Sequence, residues 1–245
     1  MSMKKLIAIL LVLACMLAIA SCGANGGTTP PEGDSGNTEQ PSTDAEAQKI
    51  LDDLTTLIRD SRPTKSVTTT RTGSDDVHLD SEIIIVKGEL SGKEAGTYKE
   101  TYETFNEVGA KDAKTVTVET KEYLEGKGVR ENGGDWVDMD SFLKRIQPYR
   151  PNLDTAFIEG FSYNKDKTTF EFVILNENLP YVLTNMDVST IINDVTVVIE
   201  TDGAAVTRIA MSYDMRTVAN MEKPHVVIEA LYSYNLESVE LINAK

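Results

Sequence analysis

Cysteine is nearly absent: Cys15 and Cys22 are the only two, both at the N-terminus. Cys15 lies in a segment expected to be removed, so the mature chain keeps a single cysteine, Cys22. That excludes a disulfide framework and a cysteine-built zinc site, and leaves the fold to its own core. Histidine is as scarce. His78 and His225 lie far apart in strand-like segments, neither near a second histidine at a metal-ligand spacing, and both read as surface strand residues. A serine triad would need one of them, and no Gly-x-Ser-x-Gly elbow occurs. Positive charge is also short, with 24 Lys and Arg against 39 Asp and Glu. Losing Lys4 and Lys5 with the leader takes the formal charge from −15 to −17. Such a chain has no basic footprint for nucleic acid, and anionic lipid would not attract it electrostatically. No segment repeats at a fixed period, which excludes a solenoid or propeller.

What is present begins with a leader. Lys4 and Lys5 precede the uncharged apolar run Leu6 to Ala18, and Ile19-Ala20-Ser21-Cys22 closes it. Charge, apolar core and small residues, in that order, form a secretory signal too short and wrongly flanked for a stable span. The last four residues resemble a lipobox, so we expect acylation of the Cys22 thiol and cleavage before it. The expected division is a signal peptide at 1–21, an acylated cysteine and tether at 22–42, and one domain at 43–245.

Gly23 to Ser42 has no large apolar residue. It cannot offset chain entropy by burial and is expected to be a disordered tether, spanning roughly 25 Å r.m.s.. Thr43-Asp44-Ala45-Glu46 reads as a capping box, with Glu46 reaching back to the Thr43 amide. Ala47, Ile50, Leu51, Leu54, Leu57 and Ile58 then share one helical face, and Pro63 bounds the helix. From Lys65 the period changes. Strands are expected at Ser66–Thr72, Val77–Lys87, Thr97–Asn106 and Lys114–Leu124, with Gly88 to Gly96 as a connecting turn. Another is expected at Val129–Val137, then a short helix at Asp138–Pro148 and a helical turn at Leu153–Ile158. Strand pattern resumes at Gly160–Leu175 around a turn at Asn164 to Lys167, and Pro180 to Leu183 suggests a short helix. Val195–Glu200 and Val206–Asp214 read as a hairpin about Thr201-Asp202-Gly203, followed by strands at His225–Asn235 and Leu236–Ile242. The fold class is therefore α+β: one long antiparallel sheet whose few helices cover one face.

An acylated cysteine, a tether, an amphipathic helix and a long meander resemble the lipoprotein-localisation-factor superfamily, the LolA/LolB-like carriers and LppX-like lipoproteins. Tyr123 to Val129 followed by Gly134-Asp135-Trp136-Val137 is similar to a hairpin and Gly-x-Trp strand found in such lipoproteins, and Val197 to Gly203 and Leu231 to Asn235 fit the same layout. The resemblance implies a strongly curved, incomplete half-barrel with an apolar concave face for acyl chains and helices as a lid.

The remaining motifs carry little chemistry. Ser141-Phe142-Leu143-Lys144 matches Ser-x-x-Lys, but the Ser-Asp-Asn and Lys-Thr-Gly partners are missing, so Ser141 reads as a helix flank and Lys144 as solvated. Acidic pairs such as Asp75 with Asp76, or Asp138 with Asp140, are expected by chance in so acidic a chain, and no calcium-loop pattern occurs. Nine of the 16 aromatic residues fall between Trp136 and Tyr181. They mark either the thickest core or a cavity lining. We expect a non-enzymatic, monomeric, membrane-anchored extracytoplasmic lipoprotein with no cofactor or metal. The expected ligand is a lipid or acyl chain, in a cavity lined by Leu54, Phe142, Ile146, Phe170, Phe172, Val197 and Ile199. The alternative is a surface interaction module with a filled core, binding a protein or cell-wall polymer.

Overall fold

The computed structural model describes residues 38–74, 77–106, 113–137, 153–183, 188–216 and 221–235. The leader, Cys22, most of the tether, the expected helix at Asp138–Pro148 and the expected strand at Leu236–Ile242 lie outside these residues. The elements in chain order are β1 (Thr38–Glu39), α1 (Asp44–Asp60), β2 (Lys65–Ser74), β3 (Val77–Leu90), β4 (Lys93–Phe105), β5 (Lys114–Leu124), β6 (Gly128–Glu131), β7 (Ile158–Asn164), β8 (Thr169–Ile174), α2 (Leu179–Val182), β9 (Val195–Thr201), β10 (Val206–Asp214) and β11 (His225–Ser233). Short 3-10 turns flank α2.

The strands form one open antiparallel sheet of 11, in the order β1-β7-β8-β9-β10-β11-β2-β3-β4-β5-β6. Two meanders meet at the β11–β2 ladder, where Ile228 pairs with Thr70 and Ala230 with Thr68. That long-range pairing joins the last described strand to the first long one and makes a single sheet.

α1 forms where the apolar spacing places it. Thr43 Oγ1 accepts the Glu46 amide at 3.2 Å, as an N-cap should. The reciprocal bond differs from expectation: the Glu46 carboxylate takes the Ser42 amide at 2.9 Å and the Ser42 hydroxyl at 2.7 Å, one residue before the Thr43 amide. Ser42 supplies two donors to one oxygen, which outweighs the single donor of the expected box. Ala47, Ile50, Leu51, Leu54 and Ile58 are buried, with Leu57 partly so. They lie against the inward side chains of β7 to β11, including Phe172, Ile174, Ile199, Ile209, Met211, Val226 and Ile228.

Three further sequence expectations are corrected. The segment Gly88 to Gly96 is strand except at its centre, because Ser91 (φ 54°) and Gly92 (φ 76°) make a two-residue turn with both backbones left-handed. That turn matches strand twist, so the ladder runs up to it, with Gly88 opposite Ala95. Leu153–Ile158 is a hydrogen-bonded turn and not a helix, closed by the Phe157 amide donating to Asp154 O at 2.9 Å. β6 is also shorter than expected: it ends at Glu131, and only an isolated bridge between Val129 and Val137 continues the pairing.

Candidate functional site

Alternation along the strands gives the sheet two unlike faces. On the face under α1, five of the residues expected to line a ligand cavity come together. Leu54, Phe170, Phe172, Val197 and Ile199 belong to one packed cluster, each at most 6% exposed. Phe172 sits opposite Val197, and Phe170 opposite Ile199, so the sequence spacing and the ladder agree on their shared face. Phe142 and Ile146 lie outside the described residues, as does the Ser141 and Lys144 pair.

α1 packs on the β7–β11 half. The same face of β3 and β4 forms a separate small cluster of Ile83 and Ile85 with Tyr98. Next to it Glu100 is buried, and the Tyr98 hydroxyl donates to its Oε2 at 2.6 Å. Burial pushes the Glu100 carboxyl above the ordinary glutamate value, with the Glu119 charge adding to the rise while Tyr98 and Lys121 oppose it.

The opposite face holds an open cleft of about 690 Å³. Six strands build it. β2 gives Thr69 and Arg71, β3 gives Asp80 and Glu82, β4 gives Thr101 and Glu103, β5 gives Val116, β10 gives Arg208, and β11 gives Val227 and Glu229. The ladder sets Glu229, Thr69, Glu82 and Thr101 side by side, so short threonines flank Glu82 and deepen the floor. Most charges are paired across strands. Arg71 Nε donates to Asp80 Oδ1 at 2.9 Å, and Arg208 bridges Glu229, at 2.6 Å, and Glu200. Lys114 reaches Glu103 at 3.0 Å, and the same carboxylate accepts the Asp80 amide. The Arg71 charge and hydrogen bond hold the Asp80 carboxyl below its usual value against the opposing effect of burial. None of the lining residues is aromatic. Such a surface can hydrogen-bond and ion-pair with a polar partner, and it offers no stacking platform for a sugar ring.

The histidines flank the same face. His225 and His78 lie opposite Gly73 from its two sides, and a Cβ on Gly73 would meet His78 Cβ at 2.6 Å. His225 Nδ1 is 2.7 Å from Asp214 Oδ1, and His78 Nε2 is 3.4 Å from Asp80 Oδ2. Among the described residues no three His, Cys, Asp or Glu side chains gather as metal ligands. Nor is any described helix long and apolar enough to cross a membrane.

Sequence reasoning did not find the cleft. Its parts come from distant strands, and no spacing links Arg71 to Arg208. One signal was available: the outward positions Thr69, Arg71, Asp80, Glu82, Thr101 and Glu103 alternate strictly on their strands.

No family model matches the sequence, and no curated protein matches it. Among solved structures, the chain is similar to a DUF1329 family protein from Desulfovibrio piger at 10% identity and a TM-score of 0.28, covering 78% of this chain and 95% of that one.

Proposed function

We propose that the protein is an extracytoplasmic lipoprotein, held on the outer face of the cytoplasmic membrane by lipid on Cys22, whose domain is a non-enzymatic binding module for a protein partner. One observation carries the reading. The described residues that would have lined an apolar ligand site are packed against each other and α1, whereas the open cleft lies on the other face and is polar. Paired charges with the exposed Val116 at the rim, and no ring among the lining residues to stack on, suit a protein surface better than a glycan. A photo-crosslinking side chain at Thr101 in intact cells tests this. The module predicts a discrete protein adduct that Thr69→Trp, which fills the cleft, abolishes. Adduct formation unaffected by Thr69→Trp would remove the cleft from the account.

A second reading, the acyl-chain carrier in a half-barrel, is favoured by the Ile83, Ile85 and Tyr98 cluster, which stands apart from the core that α1 covers. Each buried methylene would contribute about 0.8 kcal/mol there. Lipid that co-purifies with the folded chain and is lost in Ile83→Trp would favour this reading.

A further inference from the structure

β5 is paired unevenly. β4 lines its whole length from Lys114 to Leu124, but β6 pairs only with Lys121 to Leu124. Asn132 stops that second ladder. Its amide donates to Thr120 O at 2.8 Å and its Oδ1 accepts the Thr120 amide at 2.8 Å. Positive φ at Asn132 (49°) and Gly133 (73°) then turns the chain away. Among the described residues, Lys114 to Glu119 is left as a free edge.

The direction of its backbone groups follows from the ladder. Antiparallel residues alternate between pointing N–H and C=O at one neighbour and at the other. Thr120 points outward to Asn132, and the β4–β5 register runs without a shift, so Val118 and Val116 point outward too. Among the described residues nothing bonds those groups. Between the charged ends Lys114 and Glu119 the edge lacks the usual protection: Thr115-Val116-Thr117-Val118 has no proline, bulge or charge. Val116 and Val118 are 58% and 51% exposed, on the cleft side of the sheet.

A second observation concerns charge. Val116 is both edge and cleft wall. In the cleft Asp80, Glu103 and Glu229 are engaged by Arg71, Lys114 and Arg208, and Glu82 has no ion pair among the described residues. The chain as a whole carries 39 Asp and Glu against 24 Lys and Arg. Resting on the binding-module reading, we propose that an extended, cationic segment of the partner protein adds to β5 as a further strand along Lys114–Glu119, its alternate basic side chains on the side of Glu82 and drawn by the acidic excess of the chain. Only an extended polypeptide supplies N–H and C=O groups at the repeat this edge presents. A second copy fits less well, because each mature chain carries −17 and its own edge would bring valines where bases are called for. The edge also lies at the opposite end of the strand order from β1, where the tether enters the sheet.

The test uses the full mature chain in detergent and a short fluorescent peptide of alternating lysine with valine or threonine, read by anisotropy. The expected result is saturable binding that weakens about tenfold or more when alternate peptide nitrogens are methylated, when glutamate replaces lysine, or in Val118→Pro. Val118→Pro removes an outward N–H while the β4 ladder keeps its bonds, so its melting temperature should stay near that of the parent. If Val118→Pro unfolds the chain, the N-methylated peptide decides alone. Failure of the lysine peptide to bind overturns the proposal. Binding that ignores both Val118→Pro and N-methylation overturns edge addition and leaves the cleft module standing. A dimer in the absence of peptide that Val118→Pro dissociates makes a second copy the occupant, and the proposal falls.

Discussion

Arg130 Nε lies 2.6 Å from Glu122 Oε2, in a pair whose side chains are only 9% and 2% exposed. The Trp136 indole covers the guanidinium at 4.8 Å from ring centroid to Cζ, completing a buried charge pair that fastens β6 to β5. Arg130→Met strips a buried carboxylate of its guanidinium and is expected to cost about 3–5 kcal/mol. The double change Arg130→Met, Glu122→Leu should recover most of that loss, since no desolvated charge remains. Urea denaturation of the two variants checks both expectations.

The docking of α1 has a similar contrast. Leu54 is 3% exposed within the core cluster, and Leu54→Ala is expected to cost about 2–5 kcal/mol through lost burial and the cavity left behind. Asp53 faces solvent beside Lys49, and Asp53→Ser should leave the melting temperature unchanged. Equal effects in a thermal melt would show that α1 does not pack on the sheet.

Glu100 gives a pH dependence with a definite sign. Burial raises its carboxyl pKa in the folded chain, so between the unfolded and folded values the native state holds a proton that the unfolded chain has released. Stability contributed by that proton is fully present below the ordinary glutamate value and is lost as pH rises toward the folded value. The groups acting on it are Tyr98, Glu119 and Lys121. Glu100→Gln should remove this component, so the variant gains on the parent as pH rises through that window. Denaturation midpoints measured across the acidic range give the comparison, and parallel curves would count against a raised Glu100.

Anchoring is tested apart from the fold. Multiple acylation of Cys22 should hold the protein stably where one chain would not. Cys22→Ser should release the domain into the medium or leave an uncleaved precursor. A Cys22→Ser protein that is processed normally and stays with the membrane would contradict lipidation.

Much of the architecture was legible because local rules govern it. The period-3.6 spacing from Ala47 to Ile58 gave α1, and β-branched runs separated by turn residues gave β2, β3, β5, β9 and β10. Local rules also misplaced details. Gly88 and Gly96 read as turn residues, yet the cross-strand ladder absorbed both and left the reversal to Ser91 and Gly92. The β11–β2 pairing, which unites the two meanders, has no sequence signal because it depends on contacts across more than half the chain. The shared face of Phe170, Phe172, Val197 and Ile199 was readable from alternation. That α1 would fill the space above them depended on how the helix crosses the sheet, which spacing alone does not fix.

We propose that this domain binds a partner on its open polar face and carries no lipid inside. The most direct measurement is the lipid content of the folded chain, purified from its native membrane and separated from its own covalent anchor by proteolysis in the tether. Mass spectrometry of an organic extract should find no phospholipid, fatty acid or glycolipid in stoichiometric amount. Stoichiometric lipid recovered with the folded domain would contradict the account and restore the apolar carrier.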